Sequence, residues 1–298
     1  MESVHVNVAP AGAPPVRLRV RHFPGSGPIP FVLVHGLSSN ALLWDEVAAT
    51  LNGAGHEVAA VDLRSHGESD APPDGYDTTT AAEDVAAVCA ALGLPRVVAV
   101  GQSWGGNVVV RLASRPRGQS VQASHGDLAA AVGLVDGGWL DMTTMFHSWS
   151  ACAAALRPAD VDGLRADELR AQIAASHVNW SPAAVEATLA NLRELPDATV
   201  ARRLSIEHHM RIVRSMWDAP PWDDLTSITV PVLLMPALPA SDNGRRRGSR
   251  GDKRDLVARA AAALPKAEVR EYIGGDHDLH AQQPAAVAAD LLALAARA

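Results

Sequence analysis

The residues best placed to do chemistry lie in GQSWGG, 101–106. The apolar run Val97-Val98-Ala99-Val100 precedes it and reads as a buried strand. Asn107 to Ser114 follow and read as a helix, with Val108 and Leu112 on its apolar stripe. Ser103 is therefore expected at a sharp strand-to-helix turn. A serine alone is a weak nucleophile; it needs a base within hydrogen-bond reach and donors for the oxyanion it creates. A tight strand–turn–helix pushes the hydroxyl out of the sheet and aims the first helical N–H groups at the developing charge. Gly101, Gly105 and Gly106 supply the small neighbours that such a close approach demands.

The elements around this turn alternate strand and helix. VHVNV and VRLRVRHF alternate apolar and polar residues, as half-exposed strands do, and FVLVHG is a continuous apolar run typical of a central parallel strand. WDEVAATLNGAG reads as a helix stopped by glycine, and HEVAAVDLRSHG as a buried strand with its exit loop. TAAEDVAAVCAALGLP predicts a helix with a Thr80–Glu83 capping box, closed by Gly93 and Pro95. AAAVGLVDGG is a further strand. Between 138 and 225 the alternation stops and the chain reads as mostly helical. Ser181 and Pro182 open one helix there, and Ile206, Met210, Val213 and Trp217 share the expected apolar face of another. PVLLMPA, KRDLVARAAAALP, AEVREYI and a last helix from Pro284 restore the strand–helix order. RPRGQSVQASHGD and NGRRRGSRGDKR read as polar loops. The expectation is an α/β fold with a mostly parallel central sheet of about eight strands and helices on both faces. Its core spans 1–137 and 226–298, and a helical insertion spans 138–225.

Composition narrows the function. The 298 residues are 48% hydrophobic and 20% charged, with a net charge of −7. That sign argues against binding nucleic acid or an anionic membrane surface, since both need a basic face. Cys89 and Cys152, in alanine-rich helical stretches, read as buried free thiols. No basic stretch followed by an apolar run opens the sequence, and no apolar run reaches the length of a membrane span, so a cytoplasmic protein is expected. No metal is expected. His280 with Asp276, His277 and Asp278 has no converging partner set. Adjacent His208 and His209 point about a hundred degrees apart on a helix, one predicted to face the insertion and the other solvent.

Four stretches, taken in order, resemble the α/β-hydrolase family. GQSWGG is similar to that family's nucleophile elbow. His35-Gly36 in FVLVHGLSSNALLW resembles the oxyanion loop. DLRSHGES, 62–69, is similar to its D-x-R-G-H-G-x-S stretch, with Ser65 in place of the usual glycine. GGDHDLHAQQP, 274–284, resembles the segment around the catalytic histidine. The insertion matches the family's cap in position. The resemblance implies Ser103 as nucleophile, His277 as general base, and the backbone N–H groups of Leu37 and Trp104 as the oxyanion hole. A serine at the elbow speaks against haloalkane dehalogenase and epoxide hydrolase relatives, which use aspartate there. His35, His66 and Arg64 are expected to brace loops, and Gln102 and Asn107 to make solvent or loop contacts.

The triad acid stays open between two positions. The family's commoner site, after PVLLMPA, offers only Asp242, and that a little late. The rarer site offers Asp136 at the end of VGLVDGG, where two glycines let the chain turn away; Asp136 is preferred. The insertion holds five of the seven tryptophans, among them Trp139. Trp139, Met142 and Phe146 follow closely after Asp136 and are expected to line a pocket for a hydrophobic small-molecule substrate. The function expected is a serine hydrolase of an ester, lactone or thioester that needs no cofactor. The alternatives are carbon–carbon hydrolysis of a diketone with the same triad, or a ligand-binding protein that does not turn over. GQSW is also similar to proline-releasing aminopeptidases, but the insertion shows no acidic cluster to hold a substrate amine. Oligomeric state is not legible.

Overall fold

The computed structural model describes residues 1–114, 127–240 and 252–298. Asp242 and most of both predicted polar loops lie outside them.

The chain opens with an antiparallel pair, β1 (Glu2–Val8) and β2 (Val16–Phe23). β1 alternates as expected, but β2 is largely buried, because it lies between β1 and β4 (Val58–Val61). Its Arg19 and Arg21 tolerate burial by pairing with Asp62 and Asp45. β3 (Phe31–Val34) and β4 are continuous buried runs joined by a 3₁₀ turn (Ala41–Trp44) and α1 (Asp45–Gly53). α2 (Thr78–Ala91) is capped by Asp77, whose carboxylate accepts the Thr80 N–H at 2.9 Å. The predicted Thr80–Glu83 capping box is thus corrected: Asp77 starts the helix earlier and leaves Thr80 inside its first turn. β5 (Val97–Gln102) runs into α3 (Trp104–Ala113), and β6 (Ala129–Val135) follows.

Between β6 and β9 (Val232–Met235) come α4 (Met142–Met145), α5 (Trp149–Leu156), α6 (Ala166–Ser176), α7 (Pro182–Leu189), α8 (Ile206–Asp218) and α9 (Trp222–Ser227). A small antiparallel pair, β7 (Leu192–Glu194) and β8 (Val200–Arg202), interrupts them, and helical periodicity gave no hint of it. The buried face of α8 is His209, Ile212, Val213 and Met216, rotated from the predicted stripe because His209 is held inward by polar contacts. The chain then forms β10 (Ala237–Leu238), α10 (Lys253–Ala263), β11 (Ala267–Val269), β12 (Tyr272–Ile273), α11 (Leu279–Gln282) and α12 (Pro284–Ala295). AEVREYI, predicted as one strand, is split: β11 pairs with β9, whereas β12 pairs with β10.

The eight-stranded sheet has the order β1-β2-β4-β3-β5-β6-β9-β11 and is parallel from β4 onward. Successive residues feed two cores. Val32, Val34, Ala99 and Leu134 pack with α2 and α3, while Phe31, Leu33, Val98 and Val100 pack with α1 and α12. From β3 the chain moves to β4 on one side and then to β5 on the other. That reversal opens a crevice beyond the carboxyl ends of β3 and β5, where open α/β sheets place their ligands. Among the described residues no helix is long and apolar enough to cross a membrane.

Candidate active site

Ser103 stands between β5 and α3 at φ 52°, ψ −123°. A non-glycine residue at positive φ is strained and persists only where its surroundings hold it. Here the Ser103 N–H donates to the Val135 carbonyl at 3.0 Å, and its own carbonyl accepts the Gly106 N–H at 3.0 Å. Two glycines admit the turn. A Cβ on Gly105 would strike the carbonyl oxygens of Val34 and His35, and one on Gly137 would strike the Ser103 backbone. Gly137→Ala is therefore expected to destabilise the fold by about 1–3 kcal/mol and to displace Ser103. A urea titration beside an activity assay reads both; an unchanged midpoint would show that the strand end yields freely.

The N–H of Leu37, just past β3, and that of Trp104, first in α3, are both without an acceptor among the described residues. Gly36, the neighbour of Leu37, lies against the serine, since a Cβ on it would meet the Ser103 Cβ at 2.9 Å, and Trp104 follows Ser103 at the N-terminus of α3. Ser38 follows at φ 62° and turns the loop back; its N–H donates to His66 Nε2 at 3.2 Å.

Asp136 directly follows β6, also at positive φ (43°). Its buried carboxylate is hydrogen-bonded on all sides. His277 Nδ1 meets Oδ2 at 2.7 Å, the Ala237 N–H donates to Oδ1 at 3.0 Å, and Lys253 Nζ reaches Oδ1 and Oδ2 at 2.9 and 2.8 Å. Burial pushes the Asp136 carboxyl upward, but the hydrogen bond from His277 and the Lys253 charge outweigh it, leaving it below the usual carboxylate range. Burial pulls His277 down, yet the Asp136 hydrogen bond and charge prevail and hold it above the ordinary imidazole value. With Asp136 ionised, Nδ1 carries the proton and donates it, which leaves Nε2 as the basic nitrogen.

The structure brings Asp136 and His277 together. Among the described residues the Ser103 hydroxyl has no hydrogen-bond partner, His277 included. The serine is tied to the histidine loop through its neighbour: Gln102 Nε2 donates to the His277 carbonyl at 3.0 Å. Gln102, buried at the end of β5, thus makes a loop contact of the kind expected of it, and the loop is the one that carries His277.

The bracing residues lie around this centre. His35 Nε2 accepts the Leu63 N–H, and Arg64 forks onto Asp84. His209 Nδ1 pairs with Ser38 Oγ at 2.9 Å, and His208 Nδ1 with Ser65 Oγ at 3.1 Å while its ring stacks on Tyr76. Neither histidine simply faces solvent, as predicted for one of them: the pair clamps α8 onto two loops of the sheet. Trp180 Nε1 donates to Asp276, beside His277. His280 is wholly buried against the Trp44 ring with no polar partner among the described residues, and burial drives its pKa down to about 3. Trp139 and Met142 are buried in the same apolar core as Trp104, and Phe146 packs partly buried against it. Asn107 Nδ2 holds the Leu140 carbonyl at 3.1 Å and so fixes the stretch that follows Asp136.

Residues 31–290 match the model of the Alpha/beta hydrolase family. A non-heme chloroperoxidase from Streptomyces lividans is 30% identical over 282 residues, covering 89% of this chain and 91% of its own. The chain therefore belongs to the α/β-hydrolase family. Among solved structures, E-2-(acetamidomethylene)succinate hydrolase superposes with a TM-score of 0.74 at 20% identity, covering 99% of this chain and 100% of the other. The enol-lactonase from Burkholderia xenovorans LB400 gives 0.66 at 20% identity, covering 98% and 100%.

Proposed function

We propose that this α/β-hydrolase is a serine hydrolase that cleaves a carboxylic ester, lactone or thioester of a hydrophobic small molecule. The names of its relatives agree in fold but differ in reaction, so the reading rests on the site. The observation that carries it is the 2.7 Å contact between His277 Nδ1 and the buried Asp136, on the loop that Gln102 ties to the strained Ser103. His277 Nε2 takes the Ser103 proton as the hydroxyl attacks the carbonyl carbon. The Leu37 and Trp104 N–H groups hold the oxyanion. The tetrahedral intermediate collapses, and His277 returns the proton to the leaving group. Water then cleaves the acyl-enzyme by the same route. Phe146, partly buried against the core that holds Trp139 and Met142, offers the apolar wall that favours a hydrophobic acyl or alcohol group, with those two side chains behind it, and the segment 138–225 acts as the cap. No metal or organic cofactor enters these steps.

The test is labelling by a fluorophosphonate together with turnover of p-nitrophenyl acetate and butyrate. Labelling without turnover would favour a ligand-binding protein, and absence of both would remove Ser103 as nucleophile.

The pH dependence follows from His277. Only the neutral imidazole accepts the serine proton, so kcat/KM falls as pH drops through its pKa, which lies above the ordinary 6.5. A profile taken between about pH 5 and 9 is expected to show an acid-side midpoint above that value. A midpoint below it would mean that Asp136 does not stabilise the imidazolium.

A further inference from the structure

Asp136 carries more partners than orienting a histidine requires. The Ala237 amide and His277 already fix it. Lys253 adds an ammonium that spans both carboxylate oxygens and also donates to the Ala237 carbonyl at 3.0 Å. The lysine is the first residue of α10, where the helix dipole favours an anion and disfavours a cation. Asp252 and Asp255 meet that preference, so helix stability does not explain Lys253. Its side chain is 41% exposed, yet the ammonium reaches a carboxylate that is 1% exposed. Among the described residues, the acid hydrogen-bonded to His277 is thus also the one that Lys253 clamps.

We propose that Lys253 is a positioning residue: it locks both oxygens of Asp136 and offsets part of their charge, so that the acid orients His277 without holding its proton too tightly. The inference rests on His277 as the general base. An unopposed carboxylate would stabilise the imidazolium further, and an imidazolium cannot accept a proton from serine. Among the described residues the charged and titratable groups facing His277 are Asp136 just after β6, Lys253 from α10, Asp278 beside it and His280 from α11. Two are carboxylates that favour the cation. His280 is held neutral by burial, which leaves Lys253 as the positive charge among these four. Asp136 and Lys253 are joined by ion pairing, so the lysine opposes the pull of Asp136 on the His277 proton without cancelling it.

The experiment is a side-chain NMR titration of His277, assigned with His277→Gln, in the wild type, Lys253→Met and Lys253→Arg. The same three proteins are assayed for kcat/KM against pH, with thermal unfolding as the check on folding. In Lys253→Met the His277 midpoint is expected to rise by about 0.5–1 in pH, the effect of one unit charge roughly 4–5 Å away at an effective dielectric close to that of water, as suits a half-exposed lysine. The acid limb of kcat/KM should rise with it, and Lys253→Arg should restore both. A folded Lys253→Met with the wild-type midpoint would overturn the proposal, even if its activity were lower, because a merely structural clamp leaves the titration in place. Lys253→Gln carries the same test if the methionine variant does not fold. The NMR midpoint reads the coupling without turnover. A wild type that neither labels nor turns over would therefore defeat the general-base reading separately from this one.

Discussion

Ser103→Ala is expected to abolish fluorophosphonate labelling and to lower kcat for p-nitrophenyl butyrate by about 10⁴-fold or more, while unfolding at the wild-type temperature. The size follows from the loss of the covalent route, since what remains in such variants is binding and the oxyanion donors. The unchanged stability follows from the structure. Alanine keeps the Cβ at φ 52°, and the hydroxyl it removes has no partner among the described residues. The strained turn is held by the backbone bonds to Val135 and Gly106, which the substitution leaves intact. A variant that kept its labelling would place the reactive group elsewhere. A large fall in stability would instead mean that the hydroxyl anchors the turn, and the loss of activity would then say little about chemistry.

The turn was legible because each of its demands leaves a residue type behind. Four apolar residues mark a buried strand, and glycines mark where backbone meets backbone. The same holds for the alternating order of elements, which records a sheet covered on both faces. What was not legible depended on partners distant in sequence. Nothing in VRLRVRHF says that Arg19 and Arg21 find Asp62 and Asp45 and so let β2 lie inside the sheet. His208 and His209 were expected to part, one toward the insertion and the other toward solvent, and only the placement of Ser38 and Ser65 shows that both are engaged. A loop contact was expected of Gln102, but not that the loop would be the one carrying His277. Lys253 could not be singled out at all, because a lysine opening a helix beside a basic loop has the appearance of solvated surface. The inserted segment resisted most: its stripes predict helices, but which side chains face the crevice is set by docking onto the sheet.

Asp136→Asn is expected to lower kcat by about 10⁴-fold near neutral pH and to leave the fold in place. Asparagine tolerates positive φ better than most side chains, so the backbone at 43° is not the obstacle. Its carbonyl oxygen can still accept from the Ala237 amide or from Lys253. Its NH₂ group, facing His277 Nδ1, donates where the carboxylate accepted. The imidazole must then carry its proton on Nε2, the nitrogen that has to receive the serine proton, and the imidazolium formed later loses its counter-charge. Asp242→Asn serves as the comparison, and the aspartate whose loss costs the larger factor is the triad acid. Acid unfolding offers an independent reading of the same site. Because the Asp136 pKa is depressed on folding, its ionised form contributes stability above the unfolded carboxylate value, and that contribution is lost as pH falls through the folded value. The asparagine variant has no such group to protonate, so its unfolding free energy should fall less steeply on the acid side than the wild type's. Equal slopes would show that the His277 and Lys253 contacts do not hold Asp136 ionised, and the electrostatic account of the triad would fail with them.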